Sequence, residues 1–331
     1  MAKQTKMLRY IEAQNEALKE EMRRDKRVVL WGEDLVSMAG IFGTTFGIYD
    51  EFGPDRIRDT AIAESAIVEM AVGAALTGLR PVAFVMYASF VFTCFDGVYS
   101  KLGSMAQEFG YRDPVPVVIH AMISAESGFG TDHCMSPEAL LIHAPDLKVV
   151  VPSTPYDAKG LLKAAIRDDG PVIYMPHVRL LFGEAQPVPT EDYIIPLGKA
   201  DVKRKGKDIT IVAYSAMVMK ALAAAEVLTK EGISVEVVDL RTLVPLDVET
   251  VVKSVSKTGR LLITHEAMRR GGAAGEIAFR VIEAAPDVVK TMKAPIKRLA
   301  AKNMALPHGI ELEGKLVPQA EDVVKAVMEM M

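Results

Sequence analysis

The stretch "DTAIAESAIVEMAVGAALTG", residues 59–78, decides how the chain is read. From Ala66 to Leu76 it holds Ala, Ile, Val, Met, Gly and Leu, broken only by Glu69. An apolar run of that length with a Gly stop at 78 predicts a buried helix. Glu64 stands at the mouth of the run, where taking a charge out of water is expensive. Two reasons for a carboxylate there are open at this point. An acid in the first turn complements the helix dipole, or the carboxyl group carries chemistry.

Outward from this helix the pattern alternates. "RVVLWGED" (27–34) reads as a buried strand followed by the Gly-rich loop "MAGIFGTTFG". "RPVAFV", "VPVVIHAM", "LKVVVPS" and "PVIYMP" are short β-branched runs bounded by Pro or Gly, with helical segments between several of them. Strands alternating with helices predict a parallel α/β sheet. Met7, Leu8, Ile11, Leu18 and Met22 recur at helical spacing, which predicts a charged amphipathic helix from the start of the chain. A stretch rich in Pro, Gly and charge follows at 183–207. It divides the chain into a domain over 1–185, a linker over 186–207 and a second domain over 208–331. The second domain restarts the alternation with "DITIVAYS", "SVEVVDL" and "RLLITHEA" as strands and "PQAEDVVKAVMEMM" as the last helix.

Composition removes several function classes. The net charge is −4 over 331 residues and there is no basic tract beyond short clusters such as "KRKGK" at 203–207, so nucleic acid is not an expected partner. Arg80 and Pro81 break the longest apolar stretches, which are too short to span a bilayer. The only cysteines are Cys94 and Cys134, which fits a reducing compartment, and the expected location is the cytoplasm.

Familiar motifs are missing. No GxGxxG follows a strand, and no P-loop, HExxH or CxxC occurs. "HEAMR" (265–269) lacks the second histidine of a zinc site, so His265 reads as a packing residue at a strand end. Asp168-Asp169 fits a plain turn or a metal ligand. His133-Cys134 suggests a thiol hydrolase, but neighbours on a strand face opposite ways and no orienting third residue is evident.

Past Glu64, "DTAIAESAIVEMAVGAALTGLRPVAFVMYASFVFTCFDGV" resembles the beta subunit of the thiamine-diphosphate-dependent decarboxylase component of 2-oxo acid dehydrogenase complexes. The pyruvate, branched-chain 2-oxo acid and acetoin dehydrogenases share this subunit. "HAPDLKVVVPSTPYDAKGLLKAAIRDDGPVIY", "PLGKADVKRKGKDITIVAYSAMVMKALAAAEVLTKEGISVEVVDLRTLVPLD" and "GRLLITHEA" extend the likeness from about residue 5 to the C-terminus. The resemblance implies a transketolase-like architecture of two parallel-sheet α/β domains, a pyrimidine-binding domain and a transketolase C-terminal domain. It also implies a heterotetramer of two alpha and two beta chains, with thiamine diphosphate at an alpha–beta interface. Mg²⁺ and the diphosphate would be held by the alpha chain through a GDG…NN motif, and this sequence contains no GDG. A lipoyl-bearing dihydrolipoyl acyltransferase core would receive the acyl group.

By the same resemblance, Glu64 hydrogen-bonds the pyrimidine ring nitrogen of the cofactor and favours the tautomer that acts as base. Burial would strengthen that hydrogen bond. Phe90 matches the aromatic packed on the pyrimidine, and His133 the histidine tied to the substrate carboxylate and acyl transfer. Ile62 and Glu33 align with residues near the cofactor. Val117, Ala165, Ile166, Asp168 and Gly170 match a potassium site made of carbonyls and one aspartate. Cys134-Met135 replaces the usual Ser-Gln, Met86 stands where many relatives have Gln, and Glu69 replaces a small residue. At 100° per residue Glu69 should face away from Glu64. Other readings are an acetoin-cleaving beta subunit and a non-catalytic assembly subunit.

Overall fold

The computed structural model describes residues 4–105, 108, 110 and 115–331; residues 1–3 of the expected N-terminal helix lie outside the described residues. In chain order come β1 (Thr5–Leu8), α1 (Tyr10–Arg24), β2 (Val28–Gly32), α2 (Ile48–Phe52), β3 (Ile57–Asp59), α3 (Glu64–Leu76) and β4 (Arg80–Tyr87). A 3-10 segment, Ala88–Cys94, and a π-helical one, Asp96–Leu102, follow. Next are β5 (Val118–Met122), α4 (Thr131–Cys134), α5 (Glu138–Leu141), β6 (Lys148–Val150), α6 (Pro155–Arg167), β7 (Val172–Tyr174) and β8 (Gln186–Pro189). Then come β9 (Asp201–Arg204), β10 (Ile209–Ala213), α7 (Ala216–Lys230), β11 (Val235–Asp239), β12 (Thr242–Val244) and α8 (Val248–Thr258). The chain closes with β13 (Leu261–Met268), α9 (Ala274–Ala284), α10 (Pro286–Lys290), β14 (Lys297–Ala301), α11 (Ile310–Gly314) and α12 (Ala320–Met328).

The chain forms two compact units, Met1–Ser124 with Leu140–Leu197, and Ala125–Ala139 with Gly198–Met331. In the first unit, parallel strands run in the order β6-β7-β5-β4-β2-β3. Strands covered on both faces read as continuous apolar runs, and β5 and β7 are buried throughout. Leu30, Val82, Val118, Val172 and Tyr174 pack against Ala17, Leu18 and Met22 of α1 and Leu161, Leu162 and Ala165 of α6. Pro155 opens α6, and Thr154 caps it by accepting from Asp157 N–H (3.1 Å). From β2 the chain steps out to β3, then returns to lay β4 on the other side of β2. That reversal is a topological switch point, and ligands of open α/β sheets bind outside the carboxyl ends of strands at such points.

Two local expectations need correction. Thr5–Leu8 is not the start of a helix; it is a strand paired antiparallel with β8, Thr5 opposite Pro189. Met7 is exposed and Leu8 buried, the alternation of a strand. The second concerns α3, which is buried on one face only. Ile67, Val68, Ala71, Val72 and Ala75 face the core, while Ser65, Ala66, Glu69, Met70, Gly73 and Leu76 are exposed. The stretch 186–207 carries β8 and β9.

The second unit has a five-stranded sheet in the order β14-β13-β10-β11-β9, parallel except for β9. Ile209, Ile211, Val235 and Val237 pack against Met217, Ala221, Ala224 and Leu228 of α7 and Val323 and Val327 of α12. Among the described residues no helix is long and apolar enough to cross a membrane.

Candidate active site

In the first unit, the carboxyl ends of β2, β3 and β4 lead into Glu33, Glu64 and Phe90. Gly32 closes β2 with φ +155°, and a Cβ there would lie 2.6 Å from Phe84 O, so only glycine allows this approach to β4. Thr60 N–H donates to Gly32 O (2.9 Å). The Asp59 carboxylate accepts from Val36 N–H (2.7 Å) and Ser37 N–H (3.0 Å), folding the loop after Glu33 onto the end of β3.

Glu64 opens α3, whose N-cap, Ala63, offers no side-chain cap. Ser65 Oγ donates to Thr93 O (2.8 Å), and Thr93 Oγ1 donates to Phe90 O (2.7 Å). These bonds tie the first turn of α3 to the segment carrying Phe90, whose ring meets Tyr87 edge-on at 5.5 Å. Glu64 is half-buried, and Glu69 is exposed.

The more deeply buried carboxyl is Glu33. Burial, and then the charges of Glu64 and Asp34, raise its pKa. Its Oε1 is buried and has no hydrogen-bond partner among the described residues. Glu33, Phe84, Met86, His120 and Met122 border one small cavity. The Met86 thioether donates no hydrogen. His120 Nε2 is engaged with Gln14 Oε1 (3.0 Å), and burial lowers its pKa to about 3, so the ring is neutral. Burial, and then the charge of Glu64, push the Cys94 thiol up to about 12, which leaves it inert. Ile62, in the turn before α3, is 81% exposed.

His133 lies in the second unit, half-buried on α4, with Phe129 edge-on at 6.0 Å. It and Cys134 share a short helix rather than the expected strand, and Cys134 is buried. Cys134 and Met135 line an apolar cavity of about 250 Å³ with Ala267, Met268, Met304 and Leu306. His265 is buried on β13; it bonds Ala267 O (3.1 Å), and burial lowers its pKa to about 4.

Val117, Ala165, Ile166, Asp168 and Gly170 gather around the end of α6, and several of their oxygens accept hydrogen bonds. Arg80 donates to Ile166 O (2.9 Å) and Asp168 O (2.5 Å), and Lys148 donates to the Asp168 carboxylate (2.6 Å). Val117 O accepts from Val172 N–H (2.9 Å) and Ala165 O from Asp168 N–H (3.3 Å). Lys148 thus pairs with the one carboxylate of this cluster. Sequence reasoning treated Arg80 only as an interruption of apolar sequence; a charge opening a buried strand was the available signal. Among the described residues no group of three or more His, Cys, Asp or Glu could hold a metal ion.

Residues 6–182 match the family described as "Transketolase, pyrimidine binding domain", and residues 198–323 match "Transketolase, C-terminal domain". The chain is 42% identical over 328 residues to the 2-oxoisovalerate dehydrogenase subunit beta of Bacillus subtilis, covering 98% of each. It is 40% identical over 321 residues to the pyruvate dehydrogenase E1 component subunit beta of the same organism, covering 97% of this chain and 98% of that one. A solved structure described as a split gene transketolase, an inactive beta4 tetramer, superposes with a TM-score of 0.77 at 27% identity and 98% coverage of both chains.

Proposed function

This chain belongs to the family of beta subunits of 2-oxo acid dehydrogenase E1 components, and from that premise we propose that it supplies half of a thiamine-diphosphate site completed by an alpha subunit. The assembled enzyme, two alpha and two beta chains, oxidatively decarboxylates a 2-oxo acid and passes the acyl group to the lipoyl group of a dihydrolipoyl acyltransferase core. The alpha chain holds Mg²⁺ and the diphosphate.

One observation carries this reading. Two carboxyl groups and an aromatic ring converge at the β2/β4 switch point, near apolar side chains left exposed among the described residues: Ile62, Met70 and Phe92. The residues fit an aminopyrimidine, because Glu64 offers a carboxyl group for a ring nitrogen and Phe90 an aromatic face. When bound, thiamine diphosphate supplies the nucleophilic carbon and the electron sink for loss of CO₂. Glu64 hydrogen-bonds the pyrimidine and orients it, and docking of the alpha chain removes water from that bond and strengthens it. Glu33 keeps its proton more readily than an ordinary glutamate, which limits the negative charge packed beside Glu64. An imidazole can donate a hydrogen bond or a proton near neutral pH, and His133 does so toward the substrate carboxylate and in acyl transfer. A potassium ion, if bound, would be held by the carbonyls of Val117, Ala165, Ile166 and Gly170 and by Asp168, with Arg80 and Lys148 sharing the Ile166 and Asp168 oxygens.

The test is co-expression with the alpha chain and an artificial-electron-acceptor assay on pyruvate, branched-chain 2-oxo acids and acetoin. Cofactor-dependent decarboxylation of a 2-oxo acid is expected, with Glu64→Gln still assembling but losing about 100-fold or more in kcat. Near-normal turnover by that variant removes the role given to Glu64. Turnover of acetoin alone replaces the substrate class.

A further inference from the structure

We propose that Glu313 is a positioning residue for His133, acting through the backbone of the loop that carries it; this rests on the role given to His133 above. Glu313 is fully buried on α11, within the same unit as His133. Its Oε2 accepts from Gly128 N–H (3.1 Å) and its Oε1 from Gly130 N–H (3.0 Å). Gly130 O in turn accepts from His133 N–H (3.2 Å) and Cys134 N–H (3.0 Å). One residue therefore stands between the carboxylate and the peptide of His133.

The rest of the segment grips the same loop. Gly309 N–H donates to Gly128 O (3.1 Å), Phe129 pairs antiparallel with His308, and Thr131 Oγ1 donates to Leu306 O (2.8 Å). Gly130 has φ +76°, and a Cβ there would meet the His308 ring at 2.7 Å, so the loop fits against this segment only with glycine at that point. The four-residue helix α4 is too short to hold its own orientation; it inherits it from Gly130.

Electrostatics explain why a carboxylate does this. Among the described residues no lysine or arginine pairs with Glu313. Its burial is offset by two charge-assisted bonds from loop N–H groups. When the loop leaves, the carboxylate loses both, so docked loop and buried anion stabilise each other. A displacement of about 1 Å in a catalytic group can cost on the order of 100-fold in rate, which makes such a hold consequential for His133.

The experiment uses the enzyme assembled with its alpha chain and compares Glu313→Gln, His133→Ala and the double variant. Glu313→Gln is expected to lower kcat/KM for the 2-oxo acid about 10-fold, with no further loss in the His133→Ala background and no change in thiamine diphosphate affinity. Losses that simply add, or an unchanged kcat/KM, overturn the proposal. Hydrogen exchange separates the two layers. The Gly128 and Gly130 amides are expected to exchange faster in Glu313→Gln, and unchanged protection overturns the hold itself. If His133→Ala keeps normal turnover while protection falls, the role of His133 fails and the hold stands as structural only. Should Glu313→Gln not fold, Thr131→Val removes a single bond of the grip. It is expected to lower kcat/KM about 3-fold in the wild-type background and not at all with His133→Ala; an effect in both backgrounds overturns the proposal.

Discussion

Glu33 and Glu64 are two carboxyl groups at neighbouring strand ends with different surroundings, and the difference sets their chemistry. Burial first, and the Glu64 charge second, raise the pKa of Glu33 above its ordinary 4.5. A group whose folded pKa is raised contributes stability below its unfolded pKa, and that contribution is lost as pH rises through the folded pKa. Glu33→Gln cannot ionise, so it is expected to raise Tm by roughly 1–2 °C at about pH 7. The gain should shrink as pH falls toward 4.5 and should be smaller in a Glu64→Gln background. Calorimetry across that range checks it, and an unchanged Tm at neutral pH would mean that Glu33 ionises in the fold without cost. The local pattern made Glu64 legible as the residue of interest, because a carboxylate beside an apolar run stands out. It also suggested that Glu64 was the buried acid. The structure gives the deeper site to Glu33, whose own neighbours in sequence, Gly32 and Asp34, carry no mark of burial.

At the scale of elements, α3 shows how an apolar composition can mean two different things. A helix apolar on all sides needs cover on all sides, and the described residues cover only the face of Ile67, Val68, Ala71, Val72 and Ala75. The exposed face, with Met70 and Leu76, is where the alpha chain is proposed to dock. Met70→Asp is therefore expected to change the stability of the isolated chain by less than about 0.5 kcal/mol, while weakening association with the alpha chain by about 10-fold or more. Denaturation of the isolated chain and sedimentation of the mixture measure the two effects. A large loss of stability in the isolated chain would place Met70 in the core instead. The N-terminus carries the converse lesson. Met7, Leu8 and Ile11 match helical spacing, yet Thr5–Leu8 is a strand because its partner, Gln186–Pro189, offers a ladder from far along the chain.

At the scale of the whole molecule, the proposal is of an incomplete site, and the chain carries its own reporter. Its single tryptophan, Trp31, donates from Nε1 to Ile67 O (2.9 Å) on α3. Thiamine diphosphate with Mg²⁺ is expected to leave the fluorescence of the isolated chain unchanged at concentrations that saturate the assembled enzyme. A change should appear once the alpha chain is added, and tight saturable binding by the isolated chain would end the split-site reading. The sequence by itself determined the alternation of strands and helices, the transketolase-like class, and Glu64 and Phe90 as residues to watch. The alternation is written in local periodicity and turn chemistry, which act over a few residues, whereas the class and the roles of the two residues came from the resemblance of long collinear segments to a known family. Only the tertiary structure decided that one face of α3 is exposed among the described residues, that Arg80 and Lys148 bond Asp168, and that Glu313 reaches back 183 residues to Gly130. Such pairings join residues remote in the chain. The entropy of closing a long loop varies only slowly with its length, so neither spacing nor composition marks which distant partner will be met.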